Sequence, residues 1–221
     1  MNRELRTFVA QELRASGSDK QPKIEGYAAT FGNMTNIDGQ FNEVIQRGAF
    51  KRSLAGGDDI VCLIDHNPSL ILGRRSAGTL SLEEDSKGLR FSAELPDTSV
   101  ARDAFVNLKA GNLKECSFGF IVDSPDSENW SQMPDGTPLR TLVSVRLFDV
   151  SVVTFPAYDK TSAAARNVVA PEVEARVAAL SAEAGTAARR VRLDAVVAKI
   201  EADKAARDTE RLKLRAQNLF S

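Results

Sequence analysis

The sequence predicts a mainly β protein with some α: a closed, mostly antiparallel β-barrel flanked by short helices and followed by a helical C-terminal tail. Three observations carry that expectation. From about residue 23 to 160, short alternating or apolar segments are separated by turn signals, which is the pattern of many short strands. Closure into a barrel would protect their edges. Two stretches within this region have helical spacing with start and stop signals instead. After Pro156-Ala157-Tyr158 the composition shifts to Ala, Arg, Glu and Val, with no Trp or Tyr and no proline beyond Pro171. The chain is therefore divided into a barrel domain, 1–160, and a helical tail, 161–221.

The elements follow in order. Ile24 to Phe31 alternates, and Asp59 to Asp65 is apolar. Thr79 to Glu83 is joined to Leu89 to Leu95 by Asp85-Ser86-Lys87-Gly88, which reads as a hairpin. A short helix from Ala49 to Leu54 stops at Gly56-Gly57. A second, from Ser99 to Lys109, takes Asp97 or Thr98 as N-cap and has Gly111 just past its end. Its stripe of Val100, Ala104, Phe105 and Leu108 is expected to cover an open side of the sheet. Two strands come next, Lys114 to Val122 and Leu139 to Phe155. The polar loop between them, Asp123 to Pro138, is expected to be the mobile element of the body. In the tail, Val173, Val177 and Leu180, then Leu193, Val196, Val197 and Ile200, recur at helical spacing, with Gly185 as a break. Such a helix either docks on its own domain or serves as a partner-binding or removable arm; its length favours the arm.

Composition excludes several functions. The formal net charge is -1, but residues 160–221 hold 12 Lys and Arg against 8 Asp and Glu, whereas the preceding part holds 17 against 22. An acidic body with a mildly basic tail and no basic stripe is not an electrostatic nucleic-acid binder. No apolar stretch is long enough to span a bilayer, and the first residues lack the apolar core of a signal peptide, so a cytoplasmic protein is expected. Cys62 and Cys116 lie in apolar runs, as reduced, buried thiols do. One histidine and two distant cysteines do not make a zinc site, and no cofactor is implied.

Three residues could carry chemistry. The single histidine, His66, ends an apolar run just before Asn67-Pro68, where a turn would lift the imidazole to the rim. Ser117 lies in the segment Cys116-Ser117-Phe118-Gly119-Phe120, whose even positions are apolar. Alternation sends the hydroxyl to the other face beside Gly119. Asp149 occupies the apolar phase of its strand, where a carboxylate needs a partner. Each has a plainer reading: His66 as a hydrogen-bonded structural residue, and Ser117 as a polar residue on a solvated face. A bulge could turn Asp149 outward, or Arg146 or Arg74 could pair with it. Together the three could form a nucleophile, its base and the group that orients the base. Their order, His66, Ser117, Asp149, matches none of the common serine hydrolases, and no Gly-x-Ser-x-Gly elbow is present.

At this point the chain resembles the prohead maturation proteases of tailed bacteriophages, which share the fold of herpesvirus assemblins. The likeness runs through Gly26-Tyr27-Ala28-Ala29, Phe31-Gly32, Gly48-Ala49-Phe50, His66-Asn67-Pro68, Leu72-Gly73-Arg74 and Ala77-Gly78-Thr79-Leu80. It continues through Gly88-Leu89-Arg90-Phe91, Ser117-Phe118-Gly119-Phe120, Asp149-Val150-Ser151-Val152-Val153 and Pro156-Ala157-Tyr158. The resemblance implies a serine endopeptidase with Ser117 as nucleophile and His66 as base. Assemblins are similar but use a second histidine as the third member, which this chain does not have. Asp149 matches the position where the phage family more often has glutamate.

The resemblance further implies that such an enzyme acts inside the assembling procapsid in the host cytoplasm. It would cut the scaffolding portion from the major capsid protein and then itself, and could assemble with its own copies. Oxyanion donors are expected in the turn after His66 or around Gly73-Arg74. Cys116 is a rival nucleophile, opposed by strand alternation. A non-catalytic capsid-assembly or scaffold protein with the same barrel is the alternative, and a β-rich binding module is a weaker one.

Overall fold

The computed structural model describes residues 3–9, 11–18, 20–154 and 171–188, together with 190, 191, 194, 195 and 198. Its strands begin with β1 (Glu4–Val9), β2 (Gln11–Ser18), β3 (Gln21–Thr30), β4 (Thr35–Ile37) and β5 (Phe41–Ile45). Helix α1 (Lys51–Ala55) precedes β6 (Val61–Ile64), β7 (Asn67–Arg74), β8 (Leu80–Glu84) and β9 (Gly88–Glu94). Helix α2 (Ser99–Lys109) is followed by β10 (Glu115–Ile121), β11 (Glu128–Gln132), β12 (Pro138–Leu142) and β13 (Arg146–Val153). A further helix, α3, is described over 171–188.

The protein is mainly β with few helices, but the described strands do not close into a barrel. They form three open sheets, ordered β1-β10-β13-β6-β7, β11-β12-β5-β4 and β2-β3-β9-β8. Two pairings, β13 with β6 and β12 with β5, are parallel. The physical reason for the open form lies partly in α2, which packs against β2, β3 and β7. Its buried stripe of Ala101, Ala104, Phe105 and Leu108 closes the core where a barrel would pair strand to strand. Thr98 caps this helix as expected, its hydroxyl accepting from the Ala101 amide at 3.2 Å.

Two other expectations are corrected. The polar segment 123–138 is not loop throughout: it contains β11, which runs antiparallel to β12, and Trp130 packs on Phe41 with ring centroids 5.3 Å apart. Its polar composition reflects an edge strand. The long strand expected from Leu139 to Phe155 is two strands in two sheets. The Val143 and Ser144 amides donate to the Ser127 carbonyl, and the Val145 amide to that of Ala49, so the chain turns between β12 and β13. Phe155, the expected boundary at 160 and the tail positions Leu193, Val196, Val197 and Ile200 lie outside the described residues.

A large apolar core fills the space between the sheets, with Phe50, Phe91, Phe118, Phe120, Leu72 and Leu89 almost wholly buried. A smaller core joins Ile37, Phe41 and Trp130 to Val173 and Val177 of α3. The chain divides into two units, Met1–Val177 and Ala178–Ser221.

Not all of the interior is apolar. Arg6 of β1 meets Glu43 of β5 through Nε–Oε1 at 2.6 Å and Nη2–Oε2 at 2.9 Å, and donates to Glu4 at 2.7 Å. Arg140 of β12 donates to both oxygens of Glu4, at 2.7 and 2.8 Å, and to Glu128 at 2.6 Å. Arg6 and Arg140 have no exposed surface. Ions in such a site are tolerated because each finds several partners.

Burial pushes the Glu4 carboxyl up, but hydrogen bonds and charge from Arg140 and Arg6 more than offset it, so its pKa lies below the ordinary glutamate value. The sign follows from that depression. Glu4 adds stability that is fully present above the unfolded value of about 4.3 and is lost as the pH falls through the lower folded value. Urea midpoints taken down a pH series should hold to about pH 4.3, the unfolded value, and fall below it. Glu4→Gln should start lower at neutral pH and fall less steeply; an unchanged acid limb would show that Glu4 does not contribute.

Candidate active site

Strand β10 sits between β1 and β13, antiparallel to both. Residues directly opposite in such a ladder share a face. Ser117 pairs with Ser151 on β13 and with Thr7 on β1, so these hydroxyls gather on one face while Cys116, Phe118 and Phe120 enter the core. This face is not solvated: Cys116 through Ile121 are all buried, and Ser117 has no exposed surface.

Asp149 reaches the same face through an irregularity. The register of β10 against β13 slips between Gly119 and Phe120: Phe120 pairs with Leu147, but Gly119 pairs with Asp149. Leu147 thus packs in the core, although two residues on Asp149 faces away from it. The bulge and the functional placement, rivals when only the sequence is read, are one feature. Ser53 supports it, its hydroxyl accepting from the Leu147 amide at 2.9 Å and donating to Asp58 at 2.7 Å.

His66 arrives from the other side of β13. Strand β6 runs parallel to β13, and the hairpin from β6 to β7 turns on Asp65 and His66, with φ of 48° and 56°. Two successive left-handed residues make the turn that follows the twist of a hairpin, a conformation that asparagine, aspartate and glycine adopt most readily. The turn expected at Asn67-Pro68 therefore falls two residues earlier, and Asn67 and Pro68 begin β7. Asp65 fastens the turn: its amide donates to the Val152 carbonyl at 3.0 Å, and its carboxylate accepts from the Thr154 amide and hydroxyl at 2.8 and 3.0 Å.

The three side chains meet. His66 Nε2 lies 2.6 Å from Ser117 Oγ, and Nδ1 lies 2.8 and 2.9 Å from the two Asp149 oxygens. Ser151 Oγ, which sequence reasoning missed, stands 3.3 Å from Nδ1. Neither arginine expected near Asp149 is there: Arg74 pairs with Asp59 and Arg146 lies near Asp58. Arg3 takes the place, its Nη2 donating to both Asp149 oxygens, 2.7 Å to Oδ2. No sequence signal marked Arg3, because it precedes every recognisable motif. Gly119 leaves the room these groups need; a Cβ there would lie 2.6 Å from Asp149 Oδ2 and 2.8 Å from the Arg3 guanidinium.

Cys116 points into the core, where burial raises its thiol pKa well above the ordinary value, so no thiolate forms beside His66. The Arg74 amide already donates to Thr79 Oγ1 at 2.9 Å, which removes it as an oxyanion donor. Among the described residues no group of three or more His, Cys, Asp or Glu could hold a metal ion, and no helix is long and apolar enough to cross a membrane.

A hydroxyl, an imidazole and a carboxylate in one hydrogen-bonded line on a β-rich body is the arrangement of hydrolases that work through a Ser-His-acid site. Comparison with known proteins narrows the class. A sequence model of the caudovirus prohead serine protease family matches residues 10–175. The prohead protease of Enterobacteria phage HK97 is 32% identical over 166 residues, covering 74% of this chain and 68% of that protein. A looser structural likeness, with TM-score 0.46 and 9% identity, covers 69% of this chain and 97% of the bacteriophage T4 capsid assembly protease. The chain belongs to the caudovirus prohead serine protease family, and so is a protease.

The fit at Gly119 is open to test because the protein has one histidine. Gly119→Ala should push the Asp149 carboxylate off Nδ1. The downfield Nδ1 proton and the imidazole nitrogen shifts of His66, read by NMR, should change accordingly; an unaltered spectrum in a folded variant would contradict the crowding.

Proposed function

We propose that this protein is a serine endopeptidase of the prohead. It would cleave the scaffolding portion of the major capsid protein, and itself, inside the assembling procapsid in the host cytoplasm, without cofactor, nucleic acid or membrane. The observation that carries the reading is the continuous line from Asp149 through His66 to Ser117, with both imidazole nitrogens within hydrogen-bond reach of their partners.

In this mechanism His66 Nδ1–H donates to Asp149, which leaves Nε2 unprotonated toward Ser117. As Oγ attacks the peptide carbonyl, Nε2 takes the hydroxyl proton, and Asp149 stabilises the imidazolium that forms. Collapse of the tetrahedral intermediate breaks the C–N bond, and Nε2 returns the proton to the leaving amine. Water then repeats the sequence to release the acyl group from Ser117. Ser151 helps hold the ring in plane.

Co-expression with the adjacent capsid precursor, followed on gels and by mass spectrometry of the products, tests the assignment. Ser117→Ala and His66→Ala should stop processing, Asp149→Asn should slow it by about 10⁴, and Cys116→Ala should leave it running. Processing unchanged by Ser117→Ala would place the chain among non-catalytic assembly components.

We also propose that the tail recruits the enzyme to scaffold helices and is removable. Because Val173 and Val177 pack on Ile37 and Phe41, the informative truncation ends after residue 188 rather than at the expected boundary, 160. Such a chain should still cleave precursor in solution but fail to enter assembling particles; incorporation at full-length levels would refute the recruiting role.

A further inference from the structure

A hydroxyl with no exposed surface cannot be reached by a peptide, and Ser117 has none. Part of what surrounds it is β1. The Ser117 hydroxyl donates to the Arg6 carbonyl at 2.8 Å, Thr7 stands opposite Ser117 in the ladder, and Arg3 holds the Asp149 carboxylate. β1 and the residue before it therefore touch both ends of the line. The hydroxyl has one hydrogen, and while the Arg6 carbonyl accepts it, His66 Nε2 does not.

The place that β1 fills is the one a substrate needs. The other neighbour of β10 is β13, which carries Asp149, so the β1 side is the edge on which an extended peptide can lie beside Ser117. The residue in the Arg6 position then presents its carbonyl to the hydroxyl. Its side chain enters the buried pocket where Arg6 now meets Glu43 and lies 5.4 Å from the centre of the Phe120 ring. Without β1 that pocket keeps Glu43, Glu128 and Arg140, one net negative charge that favours a basic side chain.

The fastening of β1 suits exchange. Glu4 and Arg6 are held by ions rather than by apolar packing. Buried ion pairs contribute little beyond what water gives the same groups when they are released.

Resting on the endopeptidase reading, we propose that β1 is a stand-in for substrate: it occupies the peptide-binding edge of β10, and the peptide to be cut displaces it and seats a basic side chain in the Arg6 position, on the amino side of the scissile bond. Glu43 is then the residue that determines specificity.

The test uses the full-length protein, a serine-reactive fluorophosphonate, and the Ser117→Ala protein as blank. Glu4→Gln, which weakens the fastening, should speed labelling of Ser117 by about tenfold or more over wild type. The peptide Arg-Glu-Leu-Arg-Thr-Phe-Val, the sequence of residues 3–9, should protect Ser117 in that variant. The same peptide with Glu in place of its second Arg should protect about tenfold less well. Labelling no faster than wild type, or equal protection by both peptides, would overturn the proposal.

Should Glu4→Gln not fold, hydrogen exchange on the wild-type protein decides: β1 amides should exchange at least about tenfold faster than those of β13, and equal or slower exchange overturns it. Fast β1 exchange with Ser117 unlabelled in every sample would count against the endopeptidase reading instead.

Discussion

The slip in register between Gly119 and Phe120 is the constraint on which the site depends. In an unbroken ladder Asp149 would share the core face with Leu147, and a carboxylate there would have neither imidazole nor water. One extra residue on β13 reverses its direction. The same slip requires glycine on the facing strand, because the carboxylate and the Arg3 guanidinium fill the space a side chain would take. Bulge and glycine are thus two halves of one device, and the proposed catalytic line follows from them.

What surrounds this device fixes the histidine. A parallel neighbour brings β6 alongside β13, and Asp65 binds the tight turn to the end of that strand. His66 adopts a backbone conformation that most residues avoid. Its ring is held at Nδ1 by Asp149, with Ser117 Oγ 2.6 Å from Nε2, so the turn and the ring orientation support each other.

Much of this was legible in the residues. Alternation placed Ser117 opposite Cys116, the lone histidine marked a strand end, and the misplaced phase of Asp149 signalled an irregularity. The Thr98-capped helix and the hairpin at Asp85 were also readable, because their signals are local. What stayed hidden is what depends on partners far along the chain. Parallel pairing of β12 with β5 and the open edges leave no mark on a single segment. β1 reads as a charged stretch, since Glu4 and Arg6 find their distant partners on β5 and β12. The same is true of Arg3, which lies 146 residues from Asp149.

That separation has a consequence for the order of events in the life of the chain. The histidine and serine are 51 residues apart, and the acid follows the histidine by 83. Contacts of such long range form late in folding, after loop closure has been paid for. A polypeptide still emerging from the ribosome, with β13 not yet made, has an alcohol and an imidazole but no strand to bring them into line. On the proposed mechanism, the capacity to cut therefore arrives only with β13, the last strand of the body to be synthesised.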